Sequence, residues 1–225
     1  MLTLHHLENS RSQRILWLLE ELGLEYKVKK YKRDKVTQLA PPELVKVHPL
    51  GKSPVVTDGE LTVAESGAII EYLLGNYGNG TLVPAEGTRE RLAYTYWMHY
   101  AEGSLMPFMV LSLIMNKIET APMPFFIRPV AKGIAGKVKS GYLDTNVQRN
   151  LEFLESTLEN SSWFCGEEFT AADIQMSFPL EAAEVRASLD SNYPQLAGYL
   201  TRIRQRPAYQ AALKKGGPYQ LMGGD

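Results

Sequence analysis

The chain has 225 residues, 44% of them apolar, with 24 basic against 25 acidic side chains for a net charge of -1. The apolar fraction is enough for a core, while the near-neutral balance excludes a global field for nucleic acid or an anionic membrane. One cysteine, Cys165, excludes an internal disulfide, a CxxC redox pair and a thiolate metal cluster. No apolar run reaches about 18 residues and no leader-like segment is visible, so a cytosolic chain with neither a membrane nor a nucleic-acid partner is expected.

In chain order, "LTLHHL" reads as a short strand that enters a polar joint, Asn9, Ser10, Arg11 and Ser12. Beyond the joint, Ile15, Leu18, Leu19 and Leu22 fall on one helical face, and Gly23 stops the helix. "YKVKKYKR" alternates weakly as a second strand, and "APPELVKV" reads as a short helix opened by its prolines. "SPVVTD" and "LTVA" form a hairpin about Asp58-Gly59, and Glu65 to Tyr77 predict a helix with Ile69, Tyr72 and Leu73 inward. The result is an α/β unit over residues 1–78.

Residues 79–87 have the Gly, Asn, Pro and Thr content of a linker. From 88 to 225 only helical periodicity persists. Ala93, Trp97, Tyr100, Ala101 and Leu105 make one apolar face, Leu143, Val147, Leu151, Leu154 and Leu158 a second, and Leu196, Leu200 and Ile203 a third. In "FTAADI", Thr170 and Asp173 form a capping box with Phe169 and Ile174 as its hydrophobic staple, a folding signal rather than a site. The Gly-rich tail "KKGGPYQLMGGD" is expected to be loosely held.

Three short motifs carry candidate chemistry. In "HPLGKSPVV" a Ser53-Pro54 bond entering a strand suits a cis peptide, which would free the Ser53 backbone to pair with a peptide-like ligand; an ordinary turn fits the same residues. In "TVAESGAII", Glu65 and Ser66 occupy a helix start, where unpaired N–H groups receive a carboxylate and Glu65 an ammonium, or where they simply cap the helix. The polar joint is a third candidate, equally readable as a cap. Cys165 lies among apolar neighbours as a core residue, and Lys27, Lys29, Lys30, Lys32, Arg33 and Lys35 read as a solvated strand edge. His5, His6, His48 and His99 lack metal-ligand spacing, so no metal is assigned.

Strand, polar joint and helix, then G-K-x-P-V, then E-S at a helix start, then "FTAAD" in a helical region: in this order the chain resembles a cytosolic glutathione S-transferase over essentially its whole length. The resemblance implies a thioredoxin-like N-terminal domain (βαβαββα), an all-α C-terminal domain and a homodimer. It implies that Pro54 is the cis-proline, that the Ser53 backbone pairs with the cysteinyl unit of glutathione, that Lys52 contacts the tripeptide, and that Glu65 and Ser66 hold its γ-glutamyl end. Glutathione is then a co-substrate. The family's catalytic residue lies at the joint, where aligning Arg14 with the arginine four residues past a serine-type site selects Ser10, with Asn9 and Ser12 as rivals. Arg11 adds positive potential there or is solvated.

The glycine carboxylate of glutathione falls to Lys35 or Gln38. A hydrophobic electrophile is expected between the joint and the helix carrying "YWMHYAEGSLMPFM", with Tyr96, His99 and Tyr100 as its wall. The reaction implied is conjugation of the glutathione thiolate to that electrophile. Glutathione-dependent peroxide or disulfide reduction, and a non-catalytic binding module, are the alternatives.

Overall fold

The computed structural model describes residues 1–225 except 188, 190–191, 218 and 222–225. The sheet comprises β1 (Leu2–Leu7), β2 (Lys27–Tyr31), β3 (Val55–Asp58) and β4 (Leu61–Ala64), in the order β2-β1-β3-β4. β1 pairs parallel to β2 and antiparallel to β3, with Leu4 opposite Val28 on one side and Val56 on the other. The expected helix in "APPELVKV" shrinks to a single 3-10 turn, Pro42–Leu44, followed by turns. Its first turn is set by proline, and little apolar surface follows to bury a longer helix.

Helix α1 (Ser12–Glu21) is buried on nearly every side from Ser12 to Leu19. Its apolar face meets the sheet layer, and its back is covered by α9 (Pro207–Gly216) and α7 (Ala171–Arg186). Gly23 ends it at φ +62, with the Leu24 N–H donating to the Leu19 carbonyl at 3.1 Å and the Gly23 N–H to Glu20 at 3.2 Å. That pair of bonds closes the helix end in a left-handed turn that costs glycine little. Helix α2 (Ser66–Tyr77) follows the β3–β4 hairpin, with Ile69 and Leu73 buried and the Tyr72 hydroxyl donating to Asp58 at 2.9 Å.

Beyond residue 88 the described residues form helices without a strand. α3 (Arg89–Tyr100) and α4 (Met106–Thr120) are joined by a π turn, Ala101–Leu105, and α5 (Arg128–Val138) and α6 (Asp144–Leu158) by another, Lys139–Leu143. α7 is buried along Ala171–Ala183, and α8 (Pro194–Gln205) packs against α6 and α7. The capping box forms as read, the Thr170 N–H donating to the Asp173 carboxylate at 2.9 Å. Among the described residues the main apolar core runs from Leu4, Ile15 and Ile69 through Trp97 and Leu151 to Ile174 and Tyr199, so the two layers share an interior, while Leu7, Tyr31 and Leu44 form a small separate cluster.

In the tail, Pro218 and residues 222–225 lie outside the described residues. Tyr219 to Leu221 are packed: the Tyr219 hydroxyl donates to Glu181 at 2.7 Å, and Leu221 is buried. No described helix is long and apolar enough to cross a membrane.

Candidate active site

The joint after β1 turns through Asn9, which sits at φ +51, a conformation asparagine tolerates. The Ser10 hydroxyl lies 2.8 Å from both the Leu7 carbonyl and the Ser12 hydroxyl, and accepts from the Ser12 N–H at 3.2 Å. Ser12 is fully buried, and its Oγ is 2.8 Å from Nδ1 of His6. Burial, with Lys30 adding repulsion, pushes the His6 pKa down to about 4, so the ring is neutral at pH 7. Asn9 is occupied differently: its Oδ1 accepts the Gln220 N–H at 2.7 Å, and its carbonyl accepts from Arg33 at 3.3 Å.

The His6 shift makes a pH prediction. An unfolded chain protonates this histidine near 6.5, while the folded chain resists until about pH 4. Stability contributed by the neutral ring is therefore complete above pH 6.5 and is lost as pH falls toward 4, by about 3 kcal/mol. Denaturant unfolding of the parent and of His6→Gln across pH 4 to 7 checks it: the variant's stability should vary less steeply with pH.

Helix α1 has no acidic residue in its first turn, which leaves its positive dipole end uncompensated. Two arginines and one carboxylate stand beside it. Arg11 Nε donates to both oxygens of Glu102 at 3.0 and 3.1 Å, and Arg14 Nη1 donates to Oε1 at 2.5 Å. Burial draws the Arg14 pKa down against the pull of Glu102; burial would raise the Glu102 carboxyl, but Arg14 and Arg11 outweigh it and hold it below the ordinary range. The three groups carry one net positive charge. Glu102 reaches them from the π turn, a local widening of the helix that recurs at functional sites.

Facing the joint, the Ser53–Pro54 bond is cis. The Ser53 hydroxyl donates to the His5 carbonyl at 2.8 Å and accepts the Leu7 N–H at 3.2 Å, tying this loop to β1. Gly51, at φ +57, admits no side chain, because a Cβ there would come within 2.8 Å of Val45. A cavity of about 190 Å³ opens in front of the loop, lined by Lys52, Ser53, Pro54, Glu65, Ser66, His48, Arg11 and Glu102 among others. Glu65 stands at φ 72, a strained position for a non-glycine residue, and presents the N-terminus of α2 to this cavity. The Ser66 hydroxyl is buried with no hydrogen-bond partner.

A second, larger cleft of about 480 Å³ adjoins the first and shares Arg11, Leu50, Lys52 and Ser53 with it. Asn9, Ser10 and Arg33 line its polar side, and Met106, Val110, Leu113, Phe178 and Leu221 its apolar side. The residues expected as the electrophile wall lie elsewhere. Tyr96, His99 and Tyr100 line neither cavity. Tyr96 and Tyr100 stack on each other one helical turn apart and both approach Phe153 of α6, the Tyr100 hydroxyl donates to Asn150, and His99 is exposed. Spacing put these aromatics on one face of α3 but could not say which neighbour that face meets.

Several lining residues escaped the sequence. Glu102 carried one weak signal, the Gly103-Ser104 pair inside a helical pattern. Phe178 and Leu221 carried none, since both read as ordinary packing residues. Arg33 was set aside with a solvated edge, yet its guanidinium also donates to the Gln38 carbonyl at 3.0 Å, bracing the loop at the cleft. Lys35 and Gln38 do not line either cavity.

The thioredoxin-like layer, with its cis-proline loop beside the N-terminus of α2 and an all-helical layer closing it, presents backbone groups that can pair with a peptide-like ligand. Residues 1–75 match the family model for the glutathione S-transferase N-terminal domain, and residues 114–207 that for the C-terminal domain. The chain is 40% identical to glutathione S-transferase 3 of Schizosaccharomyces pombe, over 96% of this chain and 88% of the relative. It is 31% identical to the disulfide-bond oxidoreductase YfcG of Escherichia coli, over 96% of this chain and 95% of that one. Its fold matches the crystal structure of a glutathione S-transferase from Actinobacillus pleuropneumoniae with TM-score 0.78 at 36% identity, covering 96% and 93% of the two chains. The chain belongs to the glutathione S-transferase family.

Proposed function

We propose that the protein conjugates the thiolate of glutathione to hydrophobic electrophiles, with the Ser10 hydroxyl donating to the sulfur. The carrying observation is the buried, unpartnered Ser66 hydroxyl at the start of α2, in the cavity that also holds Ser53 and Glu65. A γ-glutamyl end fits there, its carboxylate on Ser66 and the α2 N–H groups, its ammonium on Glu65. The Ser53 backbone then pairs with the cysteinyl unit, and Lys52 serves the rest of the tripeptide. Of the joint serines, Ser10 lines the larger cleft and Ser12 does not, and Ser12 is bound to His6; Asn9 also lines the cleft, but its side-chain oxygen is taken by Gln220. Turning the Ser10 hydroxyl outward gives up its bonds to the Leu7 carbonyl, the Ser12 hydroxyl and the Ser12 N–H, about 1 kcal/mol each, against which the bond to the sulfur is set. The electrophile occupies the apolar side formed by Met106, Val110, Leu113, Phe178 and Leu221.

Calorimetry with glutathione tests the carrying observation. Ser66→Ala is expected to weaken binding about 10-fold, the worth of one hydrogen bond to a charged group; unchanged affinity would remove the assignment.

The E. coli relative's name favours a second reading, glutathione-dependent disulfide reduction on the same site. Burial pushes the Cys165 thiol up to about 12, so the thiolate for either reaction comes from glutathione. Turnover of an aromatic halide against a glutathione mixed disulfide separates the two.

The homodimer implied by the family has a candidate face in the exposed Leu92 and Tyr96 of α3 with the adjoining Phe153 of α6. Phe153→Glu is expected to convert a dimer into a monomer by light scattering.

A further inference from the structure

The turn before α5 and α5 itself are built inside out. Phe125, Phe126, Val130 and Ile134 are 81%, 66%, 61% and 60% exposed, while the only fully buried side chain of α5 is Ala135. A surface helix that merely covered a core would place its large apolar residues inward. Here Phe126, Val130 and Ile134 recur every four residues on the outer face, with the Phe125 and Phe126 rings packed edge to face at 5.6 Å at its head. Exposed apolar surface of this extent marks an interaction site.

Charge singles out the occupant. Between Glu119 and Asp144 the sequence contains Arg128, Lys132, Lys137 and Lys139 and no acidic residue, in a chain whose net charge is -1. Glu119 is itself taken up by Lys139 at 2.6 Å, and Arg128, Lys132 and Lys137 are exposed. A second copy docked symmetrically on this face would set the same cations against one another. We propose that the α4–α5 tip docks on an anionic lipid surface, Phe125, Phe126, Val130 and Ile134 entering the headgroup boundary and Arg128, Lys132 and Lys137 meeting lipid phosphates. A short basic helix with exposed apolar residues, headed by a pair of phenylalanines, lies in such an interface without spanning it.

Continuity with the cleft supports the same occupant. Val110, which lines the larger cleft, begins a row on α4 that continues through Ile114 and Ile118, both exposed, toward the tip. The near-neutral whole chain hid this, because the positive charge is local.

Sedimentation of the full chain with vesicles tests the proposal. Binding is expected to phosphatidylcholine vesicles containing phosphatidylserine, to weaken with salt, and to be lower on phosphatidylcholine alone. Phe125→Glu with Phe126→Glu should cut partitioning at least about 10-fold, and Lys132→Glu alone about 5- to 30-fold. Both variants should keep their glutathione affinity and oligomeric state, which confirms folding independently of the membrane readout. A parent chain that stays in the supernatant with every vesicle, a double variant that binds like the parent, or a double variant that loses a subunit by light scattering would each overturn it.

Discussion

A glutathione thiolate held by Ser10, the α1 N-terminus and Arg11 is expected at a pKa of roughly 6.5, and Ser10→Ala is expected to raise it toward the ~8.5 of a free thiol. The thiolate fraction at pH 7 then falls from about three quarters toward about 3%, and kcat/KM for conjugation falls by up to about 25-fold. Two pKa units amount to about 2.7 kcal/mol, within the range for removing one preorganised donor from a developing or resting anion. KM for glutathione should move little, because Glu65, Ser66 and the Ser53 loop are untouched. Ultraviolet titration of the bound thiolate checks the pKa directly. A variant that titrates and turns over like the parent would eliminate Ser10 as the donor, and the same titration on Asn9→Ala and Ser12→Ala would locate the true one.

The second large effect is structural. Glu102→Gln leaves Arg14, which is wholly buried, without its counter-charge, and leaves Arg11 facing one neutral acceptor oxygen in place of two charged ones. Breaking a fully buried pair costs about 3–5 kcal/mol. Glu102 is 35% exposed, so solvent screens part of the loss and a destabilisation of about 2–3 kcal/mol is expected. For a chain of this size that lowers Tm by roughly 5–10 °C. Adding Arg14→Met should recover part of the loss, since removing both charges removes the uncompensated one. A full-length drop in stability in the double variant, or none in Glu102→Gln, would show that the carboxylate does not neutralise Arg14.

The sequence was most legible where one physical rule acts locally. The hairpin about Asp58-Gly59, the 3.6-residue spacing of Leu143 to Leu158, and the Thr170–Asp173 box each depend on neighbours a few residues away, and each formed as read. The short apolar "APPELVKV" was less legible: periodicity over so few residues does not separate a helix from a turn. The surroundings of Tyr96 and Tyr100 were not legible for another reason. They share a helix face, but the choice of α6 rather than the cleft as its partner is made by packing between elements far apart in the chain.

What the sequence by itself determined was the order of elements, the helical character beyond residue 88 and the short motifs of the site, because propensity, capping and turn chemistry are local. Only the tertiary structure decided that Ser10 and not Ser12 is among the residues lining the cleft, that Asn9 is held by Gln220, and that Glu102 from a π turn binds Arg11 and Arg14 at the start of α1. It also decided that the large side chains of α5 face outward. Those outcomes depend on contacts between residues separated by 88 to 211 positions, and chain spacing carries no information about which distant face will be buried.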